Sequence, residues 1–188
     1  MGVRAVELRK GTVIMKDDAL LLITDFNHLT PGKGQAIIQM KTKNLVTGTT
    51  GAIRASSGEN FEVAYLDRRK CQYLYREGEA GFVFMDEESY EQFTLSPDLL
   101  GDAMGFVKES TSIEVTFHEE TPIGIALPPS VELEVTEAEI AVKGNTATNV
   151  KKDATVETGM KIRVPIHISA GDVVKLSTET GDFQGRVN

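Results

Sequence analysis

Apolar and polar positions alternate through most of the chain, and the pattern predicts strands far more often than helices. "GTVIMKDDALLLI", from Gly11, is two β-rich runs around the polar turn Lys16-Asp17-Asp18, which predicts a hairpin. "AIIQMKTK", from Ala36, puts Ile38, Met40 and Thr42 on one face. "KCQYLYREGEAGFVFM" alternates around Glu77-Gly78-Glu79-Ala80 and predicts a second hairpin. "TSIEVTFHEETPIGIAL" repeats the design, with Ile113, Val115 and Phe117 sharing a face. "KIRVPIHI" and "DVVKLST" are two further strands joined by Ser169-Ala170-Gly171. Pro165 has no N–H to give a ladder, so its strand is expected at a sheet edge or bulged.

Helix signals are few. "MDEESYEQF" carries acids in what would be its first turn and predicts a short helix after Met85. "SPDLLGDAMGFV" predicts another, with Ser96 as cap and Pro97 in the first position. No window supports a long amphipathic helix. The expected class is all-β, built from short strands at regular spacing. "SSGEN", around Ser57–Asn60, and the stiff "LPPS" of Leu127–Ser130 are the candidate joints. They divide the 188 residues into 1–63, 64–127 and 128–188, each of a size that suits a compact barrel.

Charge sharpens this division. The formal net charge is −8, but residues 1–63 carry +2, residues 64–127 carry −8 and residues 128–188 carry −2. The first third is the cationic end of an acidic molecule, where a phosphate backbone is met most easily. Charges that serve only solubility explain the same distribution. Cys71 is the single cysteine, so no intrachain disulfide forms, and its alternating surroundings predict a small core residue. The longest apolar run, Ala19–Ile23, is too short to cross a bilayer. The N-terminus lacks the apolar core of a secretory signal, and Val6 stands where a myristoylation pattern needs Ser or Thr. A cytoplasmic protein with no membrane contact is the expectation.

Catalytic constellations are not legible. His28, His118 and His167 are far apart and lack partners at metal-ligand spacing, so neither metal nor cofactor is expected. No Gly-x-Ser-x-Gly elbow occurs. The acidic pairs Glu87-Glu88 and Glu119-Glu120 suit solvated turn and helix ends. "PGKG" fails the phosphate-loop pattern, because Asn27 stands where the first glycine belongs and Gly34 where Ser or Thr belongs. What remains is the connection Asp25–Gln35 between strands predicted at Leu20–Thr24 and Ala36–Lys43. Pro31 stiffens it, and Gly32 and Gly34 remove side chains on both sides of Lys33. A projecting loop with one ammonium at its tip follows. By residue types alone, an ordinary surface loop with a solvated lysine fits as well.

"TPGKGQA", then an alternating strand and "KNLVTGT", closely resembles the first domain of bacterial elongation factor P. "YLYREGEAGFVFMDEESYEQF" resembles that family's second domain. Lys152, Ala154, Gly159, Ile162, Val164, Pro165, Ile168 and Gly171 stand at the spacing of its C-terminal signature, and "TGDFQGRVN" resembles its closing strand. The resemblance spans essentially the whole chain. It implies three β-barrels in series, one SH3/KOW-like and two OB-type, in an L-shaped outline similar to tRNA. It implies a translation factor, not an enzyme, that binds the ribosome between the peptidyl-tRNA and exit sites and relieves stalling at consecutive prolines. Lys33 would then point to the CCA end of the peptidyl-tRNA from a loop supported by Pro31, Gly32, Gly34 and Gln35.

The resemblance further implies a monomer, and a lysine-modifying enzyme that acts on Lys33 in many family members. A lysyl-type group, another amine extension or no extension all suit the tip. Contacts to RNA, including the exit-site codon of the mRNA, are implied for Gly144, Asn145 and Thr146, for Gly101 and Asp102, and for Arg186. Two departures bear on them. Asn145 replaces the acid of the usual Gly-Asp-Thr, and Ala103 replaces the amide of the usual Gly-Asp-Asn. The alternative is a generic OB-type RNA-binding protein without a ribosomal role.

Overall fold

The structure is a computed structural model that describes residues 2–32, 34–140 and 150–187. Sixteen strands form three sheets among the described residues, with one short α-helix. The first sheet holds β1 (Gly2–Arg4), β2 (Val13–Lys16), β3 (Ala19–Leu29), β4 (Ile37–Asn44), β5 (Thr50–Ser56) and β6 (Asn60–Val63), in the order β1-β6-β2-β3-β4-β5. The second holds β7 (Leu66–Glu77), β8 (Gly81–Asp86), β9 (Gln92–Leu95), β10 (Ser112–His118) and β11 (Thr121–Ala126), in the order β11-β10-β7-β8-β9. The third holds β12 (Ser130–Ala138), β13 (Lys151–Val156), β14 (Lys161–Pro165), β15 (Val173–Ser177) and β16 (Phe183–Arg186), in the order β14-β13-β12-β15-β16.

By compactness the chain falls into two units, Met1–Arg69 with Val115–Gly124, and Lys70–Glu114 with Ile125–Asn188. In the first, Ala5, Leu8, Ile14, Ile23, Ile38, Met40, Ala55 and Phe61 form the core of the first sheet. Val13, Leu20 and Ile123 make a smaller apolar cluster in the same unit. In the second, Leu133, Val135, Val156, Val164, Ile168, Val174 and Leu176 build the core of the third sheet. Tyr73 packs on Phe84 at 5.4 Å, and Phe84 stacks on Phe93 at 6.0 Å, within the second sheet. Cys71 is fully buried beside them, as its alternating context predicts.

Turn chemistry fixes the hairpins. Lys16 pairs with Ala19, so the first turn is only Asp17-Asp18, with φ of 50° and 59°. Two left-handed residues in a two-residue loop match the right-handed twist of the flanking strands. The helix expected after Met85 is a strand turn instead. Asp86 is buried, and its Oδ1 accepts from the N–H groups of Glu88 (2.8 Å) and Ser89 (3.1 Å). A side chain that caps its own following backbone competes with helix formation, and the chain returns directly into β9. The second helix signal holds. Ser96 Oγ accepts from Leu99 N at the start of α1 (Pro97–Leu100), and a 3-10 turn over Gly101–Phe106 follows.

Pro165 ends β14, which is an edge strand, as the missing donor requires. The strands of "KIRVPIHI" and "DVVKLST" do not pair. β13 and β12 lie between them, and the segment that carries the chain across buries Ile168 completely.

Gly81 is the tightest point of the second sheet. Its φ is +135°, and a Cβ there would sit 2.1 Å from the carbonyl oxygen of Leu95. Gly81→Ala is expected to destabilise the protein by at least about 2 kcal/mol, through a backbone clash added to a strained φ. Gly58→Ala, with open space around it, is expected to stay within about 0.5 kcal/mol. Paired urea denaturation curves check the contrast.

Candidate functional site

The most exposed end of the first sheet is built from its longest ladder. β3 and β4 pair from Leu21↔Asn44 up to Leu29↔Ile37. Ile23, Met40 and Ile38 are each buried to within 1%, and Ile38, opposite His28, lies one pair from the end of the ladder. Between Ile23 and Asp25 the register shifts by one residue, a bulge that twists the strand before it leaves the core. Beyond it, Asn27, His28 and Leu29 are exposed yet still paired. Strand β3 therefore continues five residues past Thr24, and the connection is seven residues, Thr30–Ala36, rather than eleven. Alternation gave no sign of this extension, because Asp25, Asn27 and His28 bury neither face.

Side chains and backbone brace both ends of this finger. The Arg9 guanidinium lies over the Phe26 ring at 5.7 Å and donates to the carbonyls of Val6 and Leu8. Lys41 Nζ sits 3.7 Å from Asp25 Oδ2 across the ladder. The N–H of Ser57 donates to the Ala36 carbonyl at 3.0 Å, tying the far end of the loop to the end of β5. Between these ties Thr30, Pro31, Gly32, Gly34 and Gln35 are all exposed. A Cβ on Gly34 would meet nothing within 4 Å, but its φ of +122° suits glycine alone. Lys33 lies outside the described residues. On the outer face of the same strands Lys41, Lys43 and Arg54 are exposed, with Arg54 opposite Gln39.

Gly144, Asn145 and Thr146 also lie outside the described residues. Gly101, with φ +54°, ends α1, and Asp102 is exposed in the 3-10 turn. Both line a groove of about 980 Å³ in the second unit, together with the turns that follow β13 and β15. Arg186 is exposed on the edge strand β16, with its Nη1 3.8 Å from Asp172 Oδ1, and does not line that groove. The sequence reading passed over Lys151, Lys161 and Arg163, which do line it. Their signal was the outward half of the alternation in β13 and β14.

Electrostatic shifts are small in number. A hydrogen bond from Arg4 holds the Glu7 carboxyl below the usual range and raises Arg4 in turn. Burial among aromatic rings pushes the Tyr73 phenol up. Among the described residues no three His, Cys, Asp or Glu side chains gather as metal ligands would.

Three successive antiparallel sheets, with no long helix among the described residues, define the class as an all-β protein of small sheet domains. Three family models match in sequence: the elongation factor P KOW-like domain over residues 4–61, the elongation factor P OB domain over 66–125 and the elongation factor P C-terminal domain over 131–186. Elongation factor P of Chloroflexus aurantiacus is 43% identical over 183 residues, covering 96% of each chain. Elongation factor P of Clostridioides difficile is 43% identical over 185 residues, covering 98% of this chain and 100% of that one. The solved structure of eukaryotic translation initiation factor 5A from Methanococcus jannaschii superposes with a TM-score of 0.54 at 24% identity, over 67% of this chain and 94% of that one, a likeness of fold. The chain belongs to the elongation factor P family, and it is a translation elongation factor.

Anchorage and exposure separate between the two strands of the finger, and stability should follow. Ile38→Ala is expected to cost about 2–5 kcal/mol, because it empties the core beneath the loop end of the ladder. Leu29→Ala, at a side chain 45% exposed, should cost less than about 1 kcal/mol. Chemical denaturation of the two variants reads the difference.

Proposed function

We propose that this elongation factor binds the ribosome between the peptidyl-tRNA and exit sites and promotes peptide-bond formation at consecutive prolines. Lys33 positions the CCA end of the peptidyl-tRNA. The observation that carries the proposal is the seven-residue loop Thr30–Ala36 at the end of a core-anchored ladder, in which Thr30, Pro31, Gly32, Gly34 and Gln35 are exposed. A finger of this kind has its foot fixed by burial and its tip available to a partner.

Proline reacts slowly because its ring restricts approach to the ester carbonyl. A step slowed by geometry is accelerated by holding the reacting end in place, and each tenfold gain corresponds to only about 1.4 kcal/mol off the barrier. An ammonium beside phosphates and sugar hydroxyls supplies such a hold through charge-assisted hydrogen bonds. Bond making stays with ribosomal RNA. Pro31, Gly32, Gly34 and Gln35 shape the approach. Gly101, Asp102, Gly144, Asn145, Thr146 and Arg186 contribute RNA contacts, the exit-site codon included.

In this proposal the protein works as a cytoplasmic monomer of three domains, 1–63, 64–127 and 128–188. A lysine-modifying enzyme that lengthens Lys33 would extend the same reach, and intact mass of protein from its native host reveals such an extension.

Translation of a reporter with a run of prolines tests the proposal. The wild-type protein is expected to raise the yield, and Lys33→Ala to return it to the level without factor while its stability stays within about 0.5 kcal/mol. Equal yield with and without the wild-type protein would remove the ribosomal role and leave a generic OB-type RNA binder. Normal rescue by Lys33→Ala would remove the lysine from the mechanism.

A further inference from the structure

We infer that the groove of the second unit is a binding site for a single strand of RNA, separate from the Lys33 loop. Its volume is about 980 Å³, and its walls come from the 3-10 turn Gly101–Phe106, the end of β7 and start of β8, β13–β14 with their turn, and the turn between β15 and β16. The walls are tied together. Thr158 Oγ1 donates to the Gly105 carbonyl at 2.6 Å, and Lys108 Nζ lies 3.3 Å from Glu157 Oε1. A Cβ on Gly105 would meet Met160 Sδ at 3.0 Å, so the turn and the strands pack as closely as a glycine permits. The groove is therefore formed in advance of any ligand.

Its chemistry is that of a strand binder. Arg76, Lys151, Lys161 and Arg163 line it, in a stretch of chain (residues 64–188) that holds only 12 Lys and Arg against 22 Asp and Glu. In β13 and β14 the inward positions Ala154, Val156, Ile162 and Val164 are buried, so Lys151, Lys161 and Arg163 stand exposed on the opposite face. Lys161 and Arg163 are two residues apart on one strand, about 7 Å, a step comparable to that between successive phosphates of an extended strand. Arg163 Nε is 3.4 Å from Asp153 Oδ1 and exposed, so a phosphate can share it. Among the described residues Lys151 and Lys161 form no ion pair.

Two half-buried rings complete the site. Phe82 carries the Arg76 guanidinium over it at 5.4 Å, and Phe106 lies in the turn. Cations that follow a backbone, beside rings that accept any base, are what binding of single strands requires. Asp102, Glu179 and Asp182 also line the groove. Glu179 and Asp182 oppose a dense charge and keep the affinity weak, about 1–100 µM at physiological salt, the range of electrostatic contacts without sequence preference.

The test is a titration of the whole free protein with a fluorescent oligouridine of about ten nucleotides, without ribosomes, so that its failure leaves the proline reporter untouched. Wild-type affinity is expected to fall with salt at a log–log slope of about −2 to −3, as three or four phosphate contacts give. Lys151→Ala/Lys161→Ala is expected to bind at least fivefold more weakly with a slope shallower by about 1.4, its thermal melt unchanged. An abasic strand of equal charge is expected to lose at least fivefold, through lost stacking. Unchanged binding by the double variant overturns the inference. So does loss of binding in Lys41→Ala/Lys43→Ala instead, which would move the site to the first sheet. Competition by polyglutamate as strong as by RNA would also overturn it, reducing the groove to a counter-charge surface.

Discussion

The β3–β4 ladder is the constraint on which the rest depends. One run of antiparallel pairs, bulged once at Thr24, connects the core residues Ile23, Met40 and Ile38 to the last pair, exposed Leu29 and half-buried Ile37. Burial fixes the foot. On β4 that burial reaches Ile38, and backbone pairing carries its order across to the exposed Asn27, His28 and Leu29 of β3. Were the ladder to end at Thr24, the same residues would form a long loop, with the entropy of a flexible segment to overcome at each encounter. The bulge at Thr24, the Arg9–Phe26 contact and the Ser57–Ala36 hydrogen bond maintain the strand conformation through its polar half.

Much of the fold was legible in the residues. Ile38, Met40 and Thr42 share a buried face, as do Ile113, Val115 and Phe117, because each strand has one side in a core and period 2 then shows directly. Ser96-Pro97 marks a helix start because cap and fixed φ act locally. The failures share a cause as well. The end of β3 turns only Phe26 onto the core, among exposed polar neighbours, so it leaves no periodic trace. Asp86 looks like a helix-opening acid until its burial turns it onto the backbone of Glu88 and Ser89. The pairing order of the third sheet, with β12 and β13 between β14 and β15, is a non-local choice that no short window records.

The functional residues divide the same way. Pro31, Gly32 and Gly34 announce an unusual loop, but nothing in their types says what a lysine between two glycines would touch. The family resemblance supplied that expectation, and family membership now makes the chain a translation elongation factor. The groove was illegible for a physical reason. Arg76 and Phe82 come from one sheet and Lys151, Lys161 and Arg163 from another, and contacts far apart in sequence, Met160 and Thr158 with Gly105 and Lys108 with Glu157, join them. In sequence those cations read as the ordinary outward half of two amphipathic strands.

In the two proposals an acidic chain meets RNA through cations gathered on the outer face of β4 and β5 and along β13 and β14. The most direct test of the central claim is contact at the tip. A photo-crosslinking amino acid placed at Gln35, with the factor added to ribosomes halted at a run of prolines, should join the loop to the 3′ end of the peptidyl-tRNA. Crosslinks that form only to ribosomal protein, or to RNA remote from that end, would contradict the account.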